Sequence, residues 1–407
     1  MSTALLCLSA MFVFPALALV FSTNVRAVSV RTVGAAFALQ LMLGAFALYF
    51  PVGRAALATM SNAVSSVIAY GQAGIDFVFG PIGANSFGFV FAFQVLPSII
   101  FCSSLVAVLY LLRIMEWVAR IIGSGLRAAL GTSAAESMSA TANVFVSQTE
   151  APLVIKPYVA SMSRSELFAV MVGGMATVAG SVLAGYVALG VELKYLLAAS
   201  FMAAPGGLLM AKLLVPEEEL LVADASGEEL RFEESINVFD AAANGAAKGL
   251  SLAVNIGAML LAFVGLIALL NGLLSWTGAW LGFDGLSLEL ILGFLFRPFA
   301  FLLGVPWSEA SLAGNLIGQK LVLNEFVAFG SFYEDKETLS AHTQAVVSFA
   351  LCGFANFSSI AIQIGGLGTL APEKRPLIAQ LGLRAVLAGF LANLMSAAIA
   401  GFFLSLA

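Results

Sequence analysis

Apolar runs long enough to cross a bilayer recur along this chain, and they leave room for only one class of fold. A membrane-crossing helix needs about 20 mostly apolar residues. Stretches 4–21, 33–50, 88–112, 193–215, 242–275 and 380–406 meet that requirement, and 165–191 and 343–370 are also long enough. Only 10% of the 407 residues are charged and 61% are hydrophobic, where soluble proteins carry charge on about a quarter of theirs. A soluble enzyme, a disordered chain and a secreted disulfide scaffold are excluded. Cys7, Cys102 and Cys352 lie far apart in apolar sequence and read as small core hydrophobes. A net charge of −5 gives no reason to expect nucleic acid as a partner. The expected fold is an all-α polytopic membrane protein.

Nine of the 23 acidic residues fall between Glu217 and Asp240, which makes that segment an aqueous loop. The first residues, MSTALLCLSAMFVF, lack the positive leader of a signal peptide and are read as a retained first helix. With the N-terminus outside, 13 of the Lys and Arg residues collect on one side and five (Arg54, Lys194, Arg297, Lys320, Lys336) on the other. Positive charge accumulates in cytoplasmic loops, so both termini are expected outside and the acidic loop inside. Residues 54–80 and 113–131 have mixed faces, the latter with Arg113, Arg120 and Arg127 every seven residues. They suit connecting helices at the membrane interface.

Two polar stretches break the apolar pattern, AAESMSATANVFVSQTEAPLVIKP (134–157) and WSEASLAGNLIGQKLVLNEFVAF (307–329). Each has a Glu in its opening turn (Glu136, Glu309), then an Asn (Asn143, Asn315), then a second Glu (Glu150, Glu325). A helix interrupted by small and polar residues follows each; Glu150 to Ser181 spans 31 residues and Glu325 to Ser359 spans 34. The charge-derived orientation puts the two copies on opposite faces, so the repeat is inverted. Inverted repeats with broken helices are the architecture of secondary transporters, which bind substrate near the midplane.

A carboxylate at bilayer depth is expensive and marks a pathway unless it only caps a hairpin, and this singles out Glu150 and Glu325. Gln148, Thr149 and Glu150 are consecutive ahead of Pro152, so they cannot share one helix face. They suit an unwound, re-entrant tip, tolerated only when buried in protein or lining a cavity. Asn324-Glu325 is the counterpart. Neither tip clusters Lys or Arg, which favours a neutral hydroxyl- or amide-bearing solute. Asn356 sits mid-span between Phe354 and Phe357 and reads as a ligand contact, whereas Ser358 reads as helix–helix glue. His342, the single histidine, begins a span and reads as interfacial. No nucleophile–base pair or HExxH motif supports the competing class, an intramembrane hydrolase.

SQTEAPLVIKPY, ATVAGSVLAGY, KLVLNEFVAF and ALCGFANFSSIAIQIGG resemble the signature segments of the concentrative nucleoside transporters. The four occur in order between about residue 88 and the C-terminus; the first helices match only in length and position. The resemblance implies about eight transmembrane helices, two re-entrant hairpins in inverted repeats, and a homotrimer whose transport domains move like elevators against a scaffold. The chain would divide into scaffold and interfacial helices (1–131), a first transport-domain repeat (132–215), the acidic cytoplasmic loop (216–240), a long scaffold helix (241–280) and a second repeat (281–407).

Carried over by position, Gln148, Thr149 and Glu150 would face the nucleobase, and Val182 and Phe354 would pack on it. Glu325, Asn356 and Ser359 would bind ribose hydroxyls. Sodium, the implied coupling ion, would take the side chains of Asn143 and Thr177 and the carbonyls of Val146 and Val178. Ser147 stands where many relatives have Gly, a change associated with pyrimidine preference. The expectation is therefore a sodium-coupled importer of uridine or cytidine in a bacterial inner membrane, surrounded by lipid and without another cofactor. A proton-coupled carrier, or an elevator transporter of another neutral solute, is the alternative.

Overall fold

The computed structural model describes residues 2–83, 90–218, 235–283 and 285–406, and these contain helices and no strand. Among the described residues, seven helical segments are long and apolar enough to span a membrane: Thr3–Val20, Val30–Leu48, Phe91–Leu111, Arg164–Ala188, Leu193–Leu214, Val238–Leu281 and Pro372–Leu406. The interrupted span expected at 343–370 is broken in the structure. It is cut into Ala341–Leu351 and Ser358–Leu370, each too short to cross alone. Arg164–Ala188 is also interrupted, between Arg164–Ala176 and the short turn Gly180–Val182. Of the acidic stretch 216–240, residues 219–234 lie outside the described residues, as do 88 and 89 of the third expected span.

Burial separates a core from a periphery. In Arg164–Ala188 and Leu193–Leu214, 94% of the most apolar window is inside the protein, and in Pro372–Leu406 83%; in Val238–Leu281 it is 11%. Val238–Leu281 pairs chiefly with Leu96–Leu111. Gly245 and Gly249 allow that approach, because a Cβ on either would stand under 3 Å from atoms of the facing helix. At 44 residues this helix is about 66 Å long, more than tilt alone can place in a hydrocarbon core of about 30 Å.

The packing repeats. Ile114–Leu130 leads into the first polar stretch and packs on it, and Leu288–Leu302 does the same for the second. Val30–Leu48 rests on Ile114–Leu130 and Leu193–Leu214, while Thr3–Val20 rests on Leu288–Leu302 and the last helix, Arg375–Leu406. Thus each of the first two helices covers one repeat in the same manner. Ile114–Leu130 buries Met115, Ala119, Gly123, Leu126 and Leu130 at helical spacing and leaves Arg120 exposed, the amphipathic pattern expected of it. Pro51–Phe79 is a single 29-residue helix that buries only Gly53, Leu57, Gly71 and Ile75.

Two of the cations counted in the charge bias are buried inside the protein. Lys320 is fully buried, and Lys212 is buried in an ion pair with Glu136. Without them the charge bias is twelve against four, and the orientation drawn from it is unchanged. The three cysteines are free and buried.

Candidate functional site

The first polar stretch folds as a hairpin. Ser133 and Glu136 form a capping box that starts Ala134–Ala142, and residues 143–150 then leave the helix before Ala151–Val154. The Gln148–Glu150 run therefore lies on unwound backbone. Ser147 turns Glu150 back onto the tip: its amide N–H and hydroxyl both donate to Glu150 Oε2, at 3.1 and 3.0 Å, and its hydroxyl lies 3.0 Å from Thr149 Oγ1. The second stretch, Ala310–Val322 and Glu325–Asp335, is joined by Leu323 and Asn324, and Asn324 caps the returning helix by accepting from the Val327 N–H at 2.9 Å. Glu325 is thereby fixed at a helix N-terminus, where a carboxylate is favoured.

The tips meet the two helix breaks. Glu325, 3% exposed, accepts from the Tyr186 hydroxyl at 3.2 Å and from Asn356 Nδ2 at 3.1 Å. Asn356 Oδ1 accepts in turn from the Ser358 hydroxyl and the Ser359 N–H, at 2.7 and 2.9 Å. Ser359 donates its hydroxyl to the Phe354 carbonyl and receives Gln148 Nε2 from the opposite hairpin at 3.1 Å. One polar network thus joins Gln148, Ser359, Asn356 and Glu325, with Phe354 half-buried beside it. Val182 is buried in the Gly180–Val182 turn. Ser147, Thr149 and Glu150 bond among themselves. The breaks are also tied to each other, the Phe354 N–H donating to the Thr177 carbonyl at 3.1 Å.

Asn143 is fully buried and its Nδ2 donates to the Ser139 carbonyl at 2.9 Å, leaving Oδ1 with no hydrogen-bond donor. An orphaned buried acceptor costs about 1–3 kcal/mol. Thr177, also buried, donates to the Gly173 carbonyl at 2.9 Å, and a Cβ on Gly173 would lie 3.3 Å from Asn143 Nδ2. Val146 and Val178 are buried in the adjoining segments. The side chains of Asn143 and Thr177 and the backbone carbonyls of Val146 and Val178 offer neutral oxygens. Oxygen donors of this kind suit a hard cation.

Four residues in this region have no site role in the sequence reading. Tyr186 and Gln363 are buried, the latter donating to the Met171 carbonyl at 2.7 Å and to Gln148 Oε1 at 3.3 Å. Lys320 and Asn393 form a buried pair behind the breaks. His342 lies beside Gly304.

Family models now place the chain. One described as "Na+ dependent nucleoside transporter C-terminus" matches residues 195–401, its N-terminal counterpart matches 9–82, and "Nucleoside recognition" matches 92–192. The chain is 52% identical over 96% of its length to "Nucleoside permease NupC" of Helicobacter pylori, covering 95% of that protein. It is 40% identical over 96% of its length to mouse "Sodium/nucleoside cotransporter 1", covering 62% of it. CNTnw, solved in an inward-facing substrate-bound state, superposes with a TM-score of 0.94 at 53% identity, covering 100% of this chain and 99% of that one. This chain belongs to the concentrative nucleoside transporters. As a member of that family it is an integral membrane protein that transports nucleosides in a sodium-dependent manner, and it is not an enzyme. A CNTnw variant solved in an outward-facing state superposes with a TM-score of 0.97, also at 53% identity and over 100% of this chain and 99% of that one.

Proposed function

We propose that this transporter couples an inward sodium gradient to the import of pyrimidine nucleosides, with ribose held by Glu325, Asn356 and Ser359. The observation that carries the reading is the buried contact of Glu325 with Asn356 and Tyr186, where the second hairpin meets the second break. A carboxylate is a strong acceptor for hydroxyl donors, and charge-assisted bonds are about twice as strong as neutral ones. Gln148, Thr149 and Glu150 present amide, hydroxyl and carboxylate groups to the polar edge of the base, and Val182 and Phe354 offer apolar surface to its faces. Ser147 narrows the base pocket and so favours pyrimidines.

Sodium binds to Asn143 Oδ1, Thr177 Oγ1 and the carbonyls of Val146 and Val178. The Phe354–Thr177 backbone bond links that ion to the nucleoside, because a ligand at either break fixes the other. Coupling of this kind is reciprocal. The two hairpins and both broken helices move together as an elevator. The first two helices pack on the repeats and travel with them, which moves the scaffold boundary away from the division at residue 131. Leu96–Leu111 and Val238–Leu281 form the fixed scaffold of a homotrimer in lipid, in a bacterial inner membrane. The inward- and outward-facing states of CNTnw support alternating access.

Uptake of labelled uridine into proteoliposomes, challenged with unlabelled cytidine and guanosine, tests the substrate class. Cytidine is expected to compete and guanosine to compete weakly; equal competition by both would discard the pyrimidine preference.

A further inference from the structure

Lys320 is fully buried, and no carboxylate lies within 4.0 Å of its ammonium among the described residues. Its neighbours are the Ala350 carbonyl at 3.1 Å, Asn393 Oδ1, and the Phe390 ring, whose centroid is 5.7 Å away. Asn393 passes the interaction on: its Nδ2 donates to the carbonyls of Ala176 at 2.6 Å and Cys352 at 3.0 Å. The amide cannot be turned over, since that would set NH2 against the ammonium and oxygen against two carbonyls. Ala176 ends the half-helix Arg164–Ala176, and Ala350 lies in the last turn of Ala341–Leu351. Helix C-termini carry partial negative charge from unpaired carbonyls. Lys320 thus supplies positive charge where the C-termini of both half-helices converge.

The repeat gives this position a counterpart. In the first repeat the end of the hairpin's leading helix, at Asn143 and Val146, meets the end of the leading half-helix, at Thr177 and Val178. In the second repeat the same two places are the last turn of Ala310–Val322, which carries Lys320, and the end of Ala341–Leu351. We propose that the Lys320 ammonium is a tethered cation standing in the second repeat where sodium stands in the first. It is a positioning residue: through Ala350 and Asn393 it holds the end of the second repeat's half-helix without a dissociable ion, and sodium, acting through the Phe354–Thr177 bond, completes the setting of Asn356 and Glu325 for ribose. Only the first repeat then binds a dissociable ion. This inference rests on the sodium reading of Asn143 and Thr177.

The test is uridine binding to the purified full-length protein, with and without sodium, for the native chain and for variants at Lys320. Uridine binding by the native chain that ignores sodium would remove the sodium reading and this inference together. With native sodium dependence established, Lys320→Ala is expected to weaken uridine binding roughly ten- to a hundredfold at saturating sodium. Methylammonium, small enough for the space vacated by the side chain, is expected to restore part of that loss. Lys320→Met fills the space without charge, so it should show the loss and no rescue, and Lys320→Arg should keep most of the native affinity. Native-like binding by Lys320→Ala, or a loss in monodisperse protein that methylammonium leaves untouched, would overturn the inference while the sodium reading stands. If Lys320→Ala does not fold, the Arg and Met variants decide, and equal sodium-dependent binding by both would overturn it.

Discussion

Replacing Glu325 by Gln removes a charge while leaving the size and most of the local bonding intact. Asn356 cannot rotate to meet a new donor, because its Oδ1 already accepts from Ser358 and Ser359. The Gln carbonyl must therefore face Asn356 and its NH2 must face Tyr186, whose hydroxyl can turn from donor to acceptor. The fold survives, and what disappears is a charged acceptor for ribose. Bonds to a charged group contribute about 1.5–3 kcal/mol and neutral ones about 0.5–1.5. Two ribose hydroxyls would then lose about 2–3 kcal/mol together, or roughly 30- to 150-fold in affinity. Titration calorimetry with uridine and with 2′,3′-dideoxyuridine reads this directly. Uridine affinity should fall by that factor, and the dideoxy compound, which lacks both donors, should be nearly indifferent to the change. An equal loss for both ligands, or uridine binding within about threefold of native, would refute the ribose assignment.

Asn143→Ser shortens the group that presents the orphaned oxygen, so the sodium concentration for half-maximal uptake should rise about tenfold; unchanged sodium activation would put the ion elsewhere. Ser147→Gly removes both hydroxyl contacts to Thr149 and Glu150, and guanosine should compete better against uridine; an unaltered competition profile would discard the pocket-width idea. Gln363→Leu frees the Gln148 amide from its anchor, and uridine affinity should drop about fivefold, in line with one lost hydrogen bond, while sodium activation persists. Gly353→Ala would place a Cβ 2.3 Å from Asn393 Oδ1, a collision expected to cost about 1–3 kcal/mol and to be visible as a lower melting temperature.

The parts of the site that were legible in the sequence are those where polarity interrupts an apolar run. Gln148–Glu150 cannot share a helix face, and Asn356 sits where a simple span would have none, so both announced broken backbone. Glu325 announced itself by the cost of its charge. Lys320 did not: a lysine near a helix end reads as a loop cation, and only tertiary crossing shows that two half-helix termini surround it. Asn393 lies in the long last helix and Tyr186 in an apolar stretch after the first break, and a polar group in apolar sequence is equally satisfied by helix–helix glue. Asn356 marks a break within 343–370, but its bounds at 352–357 depend on where Phe354 and Asn356 find partners in other elements. The packing of the first two helices on the repeats was also hidden, because an apolar helix carries no record of which neighbour it covers.

The most direct test of the whole account is labelled uridine uptake into sealed proteoliposomes under an inward sodium gradient, an equal proton gradient, and no gradient. Accumulation driven by sodium alone, and abolished when the sodium gradient is collapsed, is the predicted result. Accumulation driven by protons with no need for sodium would contradict the ion site built on Asn143 and Thr177.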